Sequence, residues 1–351
     1  MQDIFSSNAV TNSTRLFENG NNFLWIQLVM AFLSIVGSGS IVVFTAFHNL
    51  LGTSEVRALF FLSVTDLLLC FTWLVGAVLF KETCDNRATC YNLHAVEQIF
   101  YMSSFFYTLN YTWALYKGFK EYHRSITGHA ILFVQRTCSI SKIATLLSCV
   151  LPMLLMVPVF AVGNMNLCYR NLTQSYECLL LHTWALYSPS GRSLENLPCH
   201  SIHVYSICVF LITFILTSVG LSVLMAKARS LYRHCIASTN VLEEREWATL
   251  RLLQGQMLIY PSAFLVCWGP AFLLAFMILF NLQEVDTMYV VLYILQAFTC
   301  ASQGLVNCVV YGWAQHRIRS MKAMEQRDAD TQTPLLRSQK TRNYVTFTET
   351  D

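Results

Sequence analysis

The residues that could do chemistry here are few, because the chain carries little charge. Asp66 stands in SVTDLLL, with apolar residues on either side. A carboxylate in such a setting is expensive to bury and normally faces other protein with a partner. It could serve as an ion site, a proton-linked switch or a polar hub tying helices together; the plainer reading is a hydrogen-bonded structural acid. Ser38 or Ser40, Ser302 and Asn307 are its candidate partners. A second candidate is YPSAFLVCWGPA, Tyr260–Ala271, which lies in an apolar run and carries Pro261 and Pro270. Pro270 has no N–H and its ring clashes with the carbonyl of Val266, so a helix must bend there. Cys267 and Trp268 sit just before that bend, and Gly269 leaves room beside the indole. A bulky ring at a built-in kink is a lever, although proline in a membrane helix often only shapes the bundle. A third group is Gln303, Gly304, Asn307 and Tyr311, at or near a spacing of four, which makes one polar helical stripe.

Covalent chemistry is not indicated. None of the nine histidines falls inside an apolar segment with a second metal ligand at helical spacing, and H-E-x-x-H is absent. The expectation is a protein that is not an enzyme, with no catalytic residue, no metal, no cofactor and no nucleic-acid partner.

The elements that must position these residues follow from composition. The chain of 351 residues is 55% hydrophobic and only 12% charged, about half the roughly 25% of a soluble domain. Seven apolar segments reach the ~20 residues that cross a hydrocarbon core: Phe23–Phe47, Ala58–Phe80, Gln98–Tyr116, Ile143–Gly163, Val204–Ala226, Met257–Phe280 and Met288–Gly312. Asp66 is the one formal charge within them. The fold class expected is an all-α membrane protein, a bundle of seven transmembrane helices. With the N-terminus outside, the outer segments hold Arg15, Lys81, Arg87, Arg170 and Arg192, and the rest of the 23 lysines and arginines lie inside. That asymmetry puts the C-terminus in the cytoplasm. The domains read as an outer tail (1–22), the helical domain (23–312), an amphipathic inner helix (313–325) and a disordered cytoplasmic tail (326–351). The inner helix would set Ile318 and Met321 against Arg317, Arg319 and Lys322 on the membrane surface. No cleavable signal peptide is read in the polar first 22 residues.

Cysteines and sequons agree with this orientation. Cys84, Cys90, Cys168, Cys178 and Cys199 fall outside, where disulfides persist. Five allow two bridges with one thiol left over. A bridge from Cys90 to a cysteine of the second outer loop, with Cys178 the candidate, would pin that long loop over the bundle mouth; sequence alone leaves the pairing open. Asn12 and Asn171 head glycosylation sequons on the outer side, and Asn110 heads a third inside helix 3. Tyr101, Phe105, Thr108 and Thr112 form one stripe of helix 3, which could line a cavity but reads first as packing. Gly37-Ser38-Gly39-Ser40 in helix 1 suits close helix contact.

These features together resemble a G-protein-coupled receptor. CWGP at Cys267–Pro270 resembles the C-W-x-P signature of helix 6, and LSVTDLL resembles the acidic region of helix 2. Asn307 and Tyr311 occupy the place of N-P-x-x-Y, with Cys308 where the proline would be. QGLVNCVVYGW and YPSAFLVCWGPA look more like the cyclic-AMP-receptor-like group. More narrowly, CWGPA, SQGLVNCVVYGW and RDADTQTPLL resemble an orphan family of seven-helix membrane proteins, a likeness specific to about residues 260–340. The resemblance implies signal transduction by a helix 6/7 switch, with Cys267, Trp268, Pro270, Asn307 and Tyr311 as its hinge. It implies an extracellular ligand and a heterotrimeric G protein as partners beside membrane lipid. Sequons on a multi-pass chain make the plasma membrane the default location, with internal membranes open. One departure bears on coupling: the acid-Arg-Tyr place of rhodopsin-like receptors holds Ala114-Leu115-Tyr116. A receptor-shaped scaffold or trafficking protein is the alternative, and a transporter, with one buried acid and no repeat between halves, is a distant third.

Overall fold

Long apolar runs without water nearby can satisfy their backbone only internally, and they fold as helices. The computed structural model describes residues 2–81, 87–126, 134–171, 197–238, 244–280, 286–320 and Ala323, with no strand among them. The helices are α1 Gln2–Phe47, α2 Ser54–Lys81, α3 Arg87–Ile126, α4 Val134–Met165, α5 Leu197–Ser238, α6 Glu244–Leu279 and α7 Asp286–Ala301. A further helix, α8, runs Gln303–Ser320. Asn49, in the left-handed region at φ 49°, leads into the short 3-10 turn Leu50–Gly52 between α1 and α2.

Among the described residues, five helices are long and apolar enough to cross a bilayer, and six if α7 and α8 are counted as one bent span. The central helix α3 is not among them. Its apolar residues are interleaved with His94, Glu97, Gln98, Ser103, Ser104 and Asn110. The reason lies in its neighbours: α3 packs against α2, α4, α5 and α6. A helix surrounded by protein has polar partners available on most sides and can do without a lipid-compatible face. The peripheral helices are the reverse. Phe32, Phe71, Leu146, Leu154 and Val266 stand exposed on their outer faces, which suits hydrocarbon and not water.

The interior holds two apolar clusters. One gathers Phe105, Phe210, Phe214, Phe264 and Trp268 with Cys267 and Leu274. The other joins Tyr111, Phe119, Tyr260 and Tyr311 with Leu59 and Leu62. On the far side, α1 meets α8 almost backbone to backbone. A methyl group on Gly37 would lie 2.9 Å from Leu305 Cα, and one on Gly304 would collide with Ser34 and Ser38. The small-residue run in α1 does what its composition suggests.

The amphipathic segment expected from Trp313 onward is not a separate element. Residues 313–320 continue α8 without a break. The interruption comes earlier, at Ser302, where α7 and α8 meet at 47°. The whole of the tail expected as 326–351, residues 82–86 with Cys84, and Cys178 lie outside the described residues.

At the end of α4, Leu167 adopts φ 52° and turns the chain into the 3-10 segment Cys168–Asn171. Cys168 is bonded to Cys199 near the start of α5, with Cα atoms 5.4 Å apart across 31 positions of sequence. Closing a loop of that length is worth about 4 kcal/mol in the chain-entropy account. Cys90 is also disulfide-bonded.

Candidate functional site

Asp66 occupies the middle of α2 and is almost wholly buried. Its two oxygens have separate donors. Ser104 Oγ of α3 donates to Oδ1 at 2.7 Å, and Asn307 Nδ2 of α8 donates to Oδ2 at 2.8 Å. Ser104 in turn accepts from Gln303 Nε2 at 2.8 Å. The amide oxygen of Gln303 accepts from the indole N–H of Trp268. Every donor therefore points the same way, from Trp268 through Gln303 and Ser104 to the carboxylate. Bonds aligned head to tail polarise one another, and a low dielectric strengthens each. One acid thus ties α2, α3, α6 and α8 together, and all five side chains are buried.

The indole is also held by rings. Phe105 stands edge-on at 4.8 Å between centroids, and Tyr101 lies at 5.5 Å. Phe264 approaches Phe105 edge-on at 5.1 Å from the preceding turns of α6. Trp268 cannot turn without giving up both its acceptor and this aromatic seat.

Two backbone irregularities face each other beside the indole. Pro261 and Pro270 both lie inside α6, and Pro270 leaves the carbonyl of Val266 without its helical donor. One residue on, the carbonyl of Cys267 accepts from Thr299 Oγ1 at 2.9 Å and from Cys300 Sγ at 3.3 Å. These donors come from the last turn of α7, directly before the break. At the break, Ser302 Oγ bonds the carbonyl of Thr299 at 2.7 Å, which explains why it does not reach Asp66. Trp268–Gln303 then spans from the kinked helix to the first residue after the break.

The sequence-predicted residues separate as follows. Asp66, Trp268 and Asn307 fall in one network, with Cys267 and Pro270 beside it. Tyr311 does not join them. It is buried in the second cluster, edge-on to Phe44 at 6.2 Å, because one more helical turn carries it toward Tyr111 and Tyr260. Ser40 Oγ bonds its own helix at Val36, and Ser38 packs against Gly304; neither is a partner of Asp66. The stripe of Tyr101, Phe105, Thr108 and Thr112 is buried packing, its threonines bonded to the carbonyls of Ser104 and Thr108. Asn12 lies in α1 and Asn171 ends the 3-10 segment. Cys178, the candidate partner of Cys90, is outside the described residues.

A second buried acid escapes a reading by apolar segments. Glu97 accepts from Trp73 Nε1 at 2.8 Å and lies 3.4 Å from His94 Nδ1. One residue along, Gln98 accepts from Ser206 of α5 at 2.7 Å. Glu97 falls one place before the apolar segment that starts at Gln98, so a count of charges within spans omits it. The available signal was the H-x-x-E spacing, which puts His94 and Glu97 on one helical face.

The model of the transmembrane protein 116 family matches residues 21–346. The chain belongs to this family. The match takes in both buried acids, the two prolines of α6 and the break before α8, so the arrangement described lies wholly within the family's extent. It is a multi-pass membrane protein.

Proposed function

We propose that this chain is a receptor-like signalling protein in which α6 and the α7–α8 pair form a two-position switch centred on Trp268. Counting α3 with the six candidate spans makes seven, with the N-terminus outside and the C-terminus cytoplasmic. What supports the reading is the relay Trp268–Gln303–Ser104–Asp66–Asn307, which joins the residue two places before Pro270 to the first turns after the helix break. A relay of buried donors can be made or broken as a unit, and a packed core moves between discrete arrangements. An extracellular ligand would act on the mouth of the bundle and a heterotrimeric G protein on the inner face. Glycosylation at Asn12 and Asn171, a Cys90–Cys178 bridge and a plasma-membrane location belong to the same reading.

The experiment is an agonist-independent screen of all G-protein classes, reading recruitment of miniature G proteins, cyclic AMP and calcium, with wild type beside Trp268→Ala. The reading expects recruitment of at least one class and a clear change in the variant. Silence across all classes in both proteins counts against it.

A second reading rests on a different observation. Where rhodopsin-like receptors carry a charged triplet, Ala114 and Leu115 are buried apolar packing, Leu115 within the second core cluster. A receptor-shaped scaffold or trafficking protein needs no arginine there. Proximity labelling with and without the residues after Trp313 tests it: partners lost with the tail support the scaffold.

A further inference from the structure

Where α3 leaves its apolar segment, a cation turns back along the helix. Lys117 is the first charge after Tyr116, and its Nζ lies 4.0 Å from the centre of the Trp113 ring, one turn earlier. A lysine at the end of a membrane helix ordinarily snorkels outward to water. Here the ammonium rests on an aromatic face instead. Among the described residues Lys117 makes no ion pair and the Trp113 N–H no hydrogen bond. Both side chains are partly exposed.

Trp113 is also one wall of a cavity of about 560 Å³ between α3, α4 and α5, within the ~300–1,000 Å³ of small-molecule sites. The other walls are apolar: Phe106 of α3, Leu147 and Leu151 of α4, Val223 and Leu224 of α5. Leu147, Leu151 and Val223 stand exposed, so the cavity is a groove that opens toward lipid. The polar side chains at its back make their bonds within the protein. Asn110 Nδ2 donates to Thr145 Oγ1 at 3.2 Å, and Ser148 Oγ donates to the carbonyl of Ala144 at 2.8 Å.

α5 brings a second cation to the same end. Ser206 meets Gln98, and further along both helices Gly220 meets Leu109, so α5 runs parallel to α3. Lys117 is eight residues past Leu109 and Lys227 is seven past Gly220, which sets the two lysines at one level. Lys227 continues the helical stripe of Val223 and Leu224, as Lys117 continues that of Phe106 and Trp113. Side chains lean toward the N-terminus of their own helix, so both stems lean back along the groove. Glu121, one turn past Lys117, offsets part of this charge, and the exposed Lys120 stands next to it. From Phe106 to Lys117 the helix rises about 16 Å, half of the ~30 Å hydrocarbon core.

We propose that this groove holds an anionic glycerophospholipid of the leaflet in which α3 and α5 end. One acyl chain lies on the apolar walls, and the phosphate sits between Lys117 and Lys227. Charge selects the headgroup. Two ammonium groups and an indole N–H offer donors and no acceptor, and a zwitterionic headgroup brings a cation of its own that these lysines repel. Depth selects the body, because an apolar slot one leaflet deep with cations at its outer end fits a chain that starts at a phosphate. The site lies apart from the relay and holds whether or not the protein couples to a G protein.

The test uses the full-length protein in phosphatidylcholine nanodiscs doped with a phosphatidylserine that carries a diazirine in one acyl chain. Phosphatidylcholine with the same diazirine chain and a diazirine cholesterol serve as comparisons, with labelled peptides mapped by mass spectrometry. The serine lipid should label the groove peptides of α4 and α5 at least fivefold more than the choline lipid, and more than the sterol. Lys117→Gln and Lys227→Gln should each cut that labelling about fivefold, the effect of one basic residue at the membrane surface. Lys142→Gln should leave it unchanged, since this exposed lysine of α4 is on the opposite face from Ala144 and the groove. Leu147→Trp fills the groove with both lysines in place and should abolish labelling while thermal unfolding stays unchanged. Equal labelling by the choline lipid, preference for the sterol, an equal loss with Lys142→Gln, full labelling of Leu147→Trp, or cross-linking to a second copy of the chain through the groove overturns the proposal. If Leu147→Trp fails to fold, Val223→Trp, from an exposed position on α5, takes its place.

Discussion

Asp66 and Glu97 are both buried carboxylates that end on a tryptophan N–H, yet they are built differently. Glu97 takes the indole of Trp73 directly and has His94 from its own helix beside it. That arrangement clamps α2 to α3. Asp66 receives its tryptophan through two intermediaries, and that tryptophan stands two residues before Pro270 while Gln303 and Asn307 stand just after the break before α8. A direct bond between two continuous helices has one good geometry. A relay anchored beside two weak points in the backbone can be made in one arrangement and released in another. The first is expected to act as a fixed strut, the second as a latch.

The largest effect that separates them is in stability. Glu97→Ala leaves the Trp73 N–H without an acceptor and opens a small cavity, at a cost of about 3 kcal/mol. Thermal unfolding of the purified protein measures it, and the thiols near the relay should react with maleimide as slowly as before. Trp268→Phe keeps the ring and removes the donor, costing about 2 kcal/mol, and should make Cys267 and Cys300 more reactive. If Trp73→Phe exposes those thiols equally, the distinction between strut and latch collapses.

A smaller effect tests the relay as a unit. Asp66→Asn and Trp268→Phe together should miss additivity by about 1 kcal/mol in a double-mutant cycle, whereas Asp66→Asn with Trp73→Phe should add to within about 0.5 kcal/mol. Additivity in the first pair would mean that the aligned bonds are independent contacts. The smallest change is expected from Thr299→Val, which removes one of the two donors to the Cys267 carbonyl and leaves Cys300 Sγ. It should cost about 1 kcal/mol of stability while raising thiol reactivity as Trp268→Phe does. No rise would place the give at Ser302 alone.

Much of this was legible in the residues, and the misses have physical causes. Asp66, Trp268 and Asn307 declare themselves because polar or bulky groups in apolar helices need reasons to be there. Ser104 does not, since a serine in a helix more often bonds its own backbone, as Ser40 and Ser148 do. Glu97 was hidden by bilayer thickness. The hydrocarbon core sets how many residues must be apolar, not where the helix begins, and α3 starts at Arg87, ten residues before Glu97. The break at Ser302 has a local signature, the small and polar run CASQG within an apolar span. A count of hydropathy averages over it and returns one segment. Tyr311 was grouped with Asn307 by spacing, but the two neighbours of a stripe can face different helices when those helices diverge.

The composition of α3 has a consequence for how the chain is made. A helix carrying His94, Glu97, Gln98 and Asn110 is a poor substrate for insertion on its own, and its polar groups find partners only once α2, α4 and α5 stand beside it. Biogenesis would then be ordered: α3 waits at the translocation machinery until later helices arrive, and a nascent chain ending soon after Ile126 leaves it uncommitted. Substitutions in α4 or α5 that spare the mature contacts of the relay could then lower the yield of inserted protein through α3, before any folded protein exists to be tested.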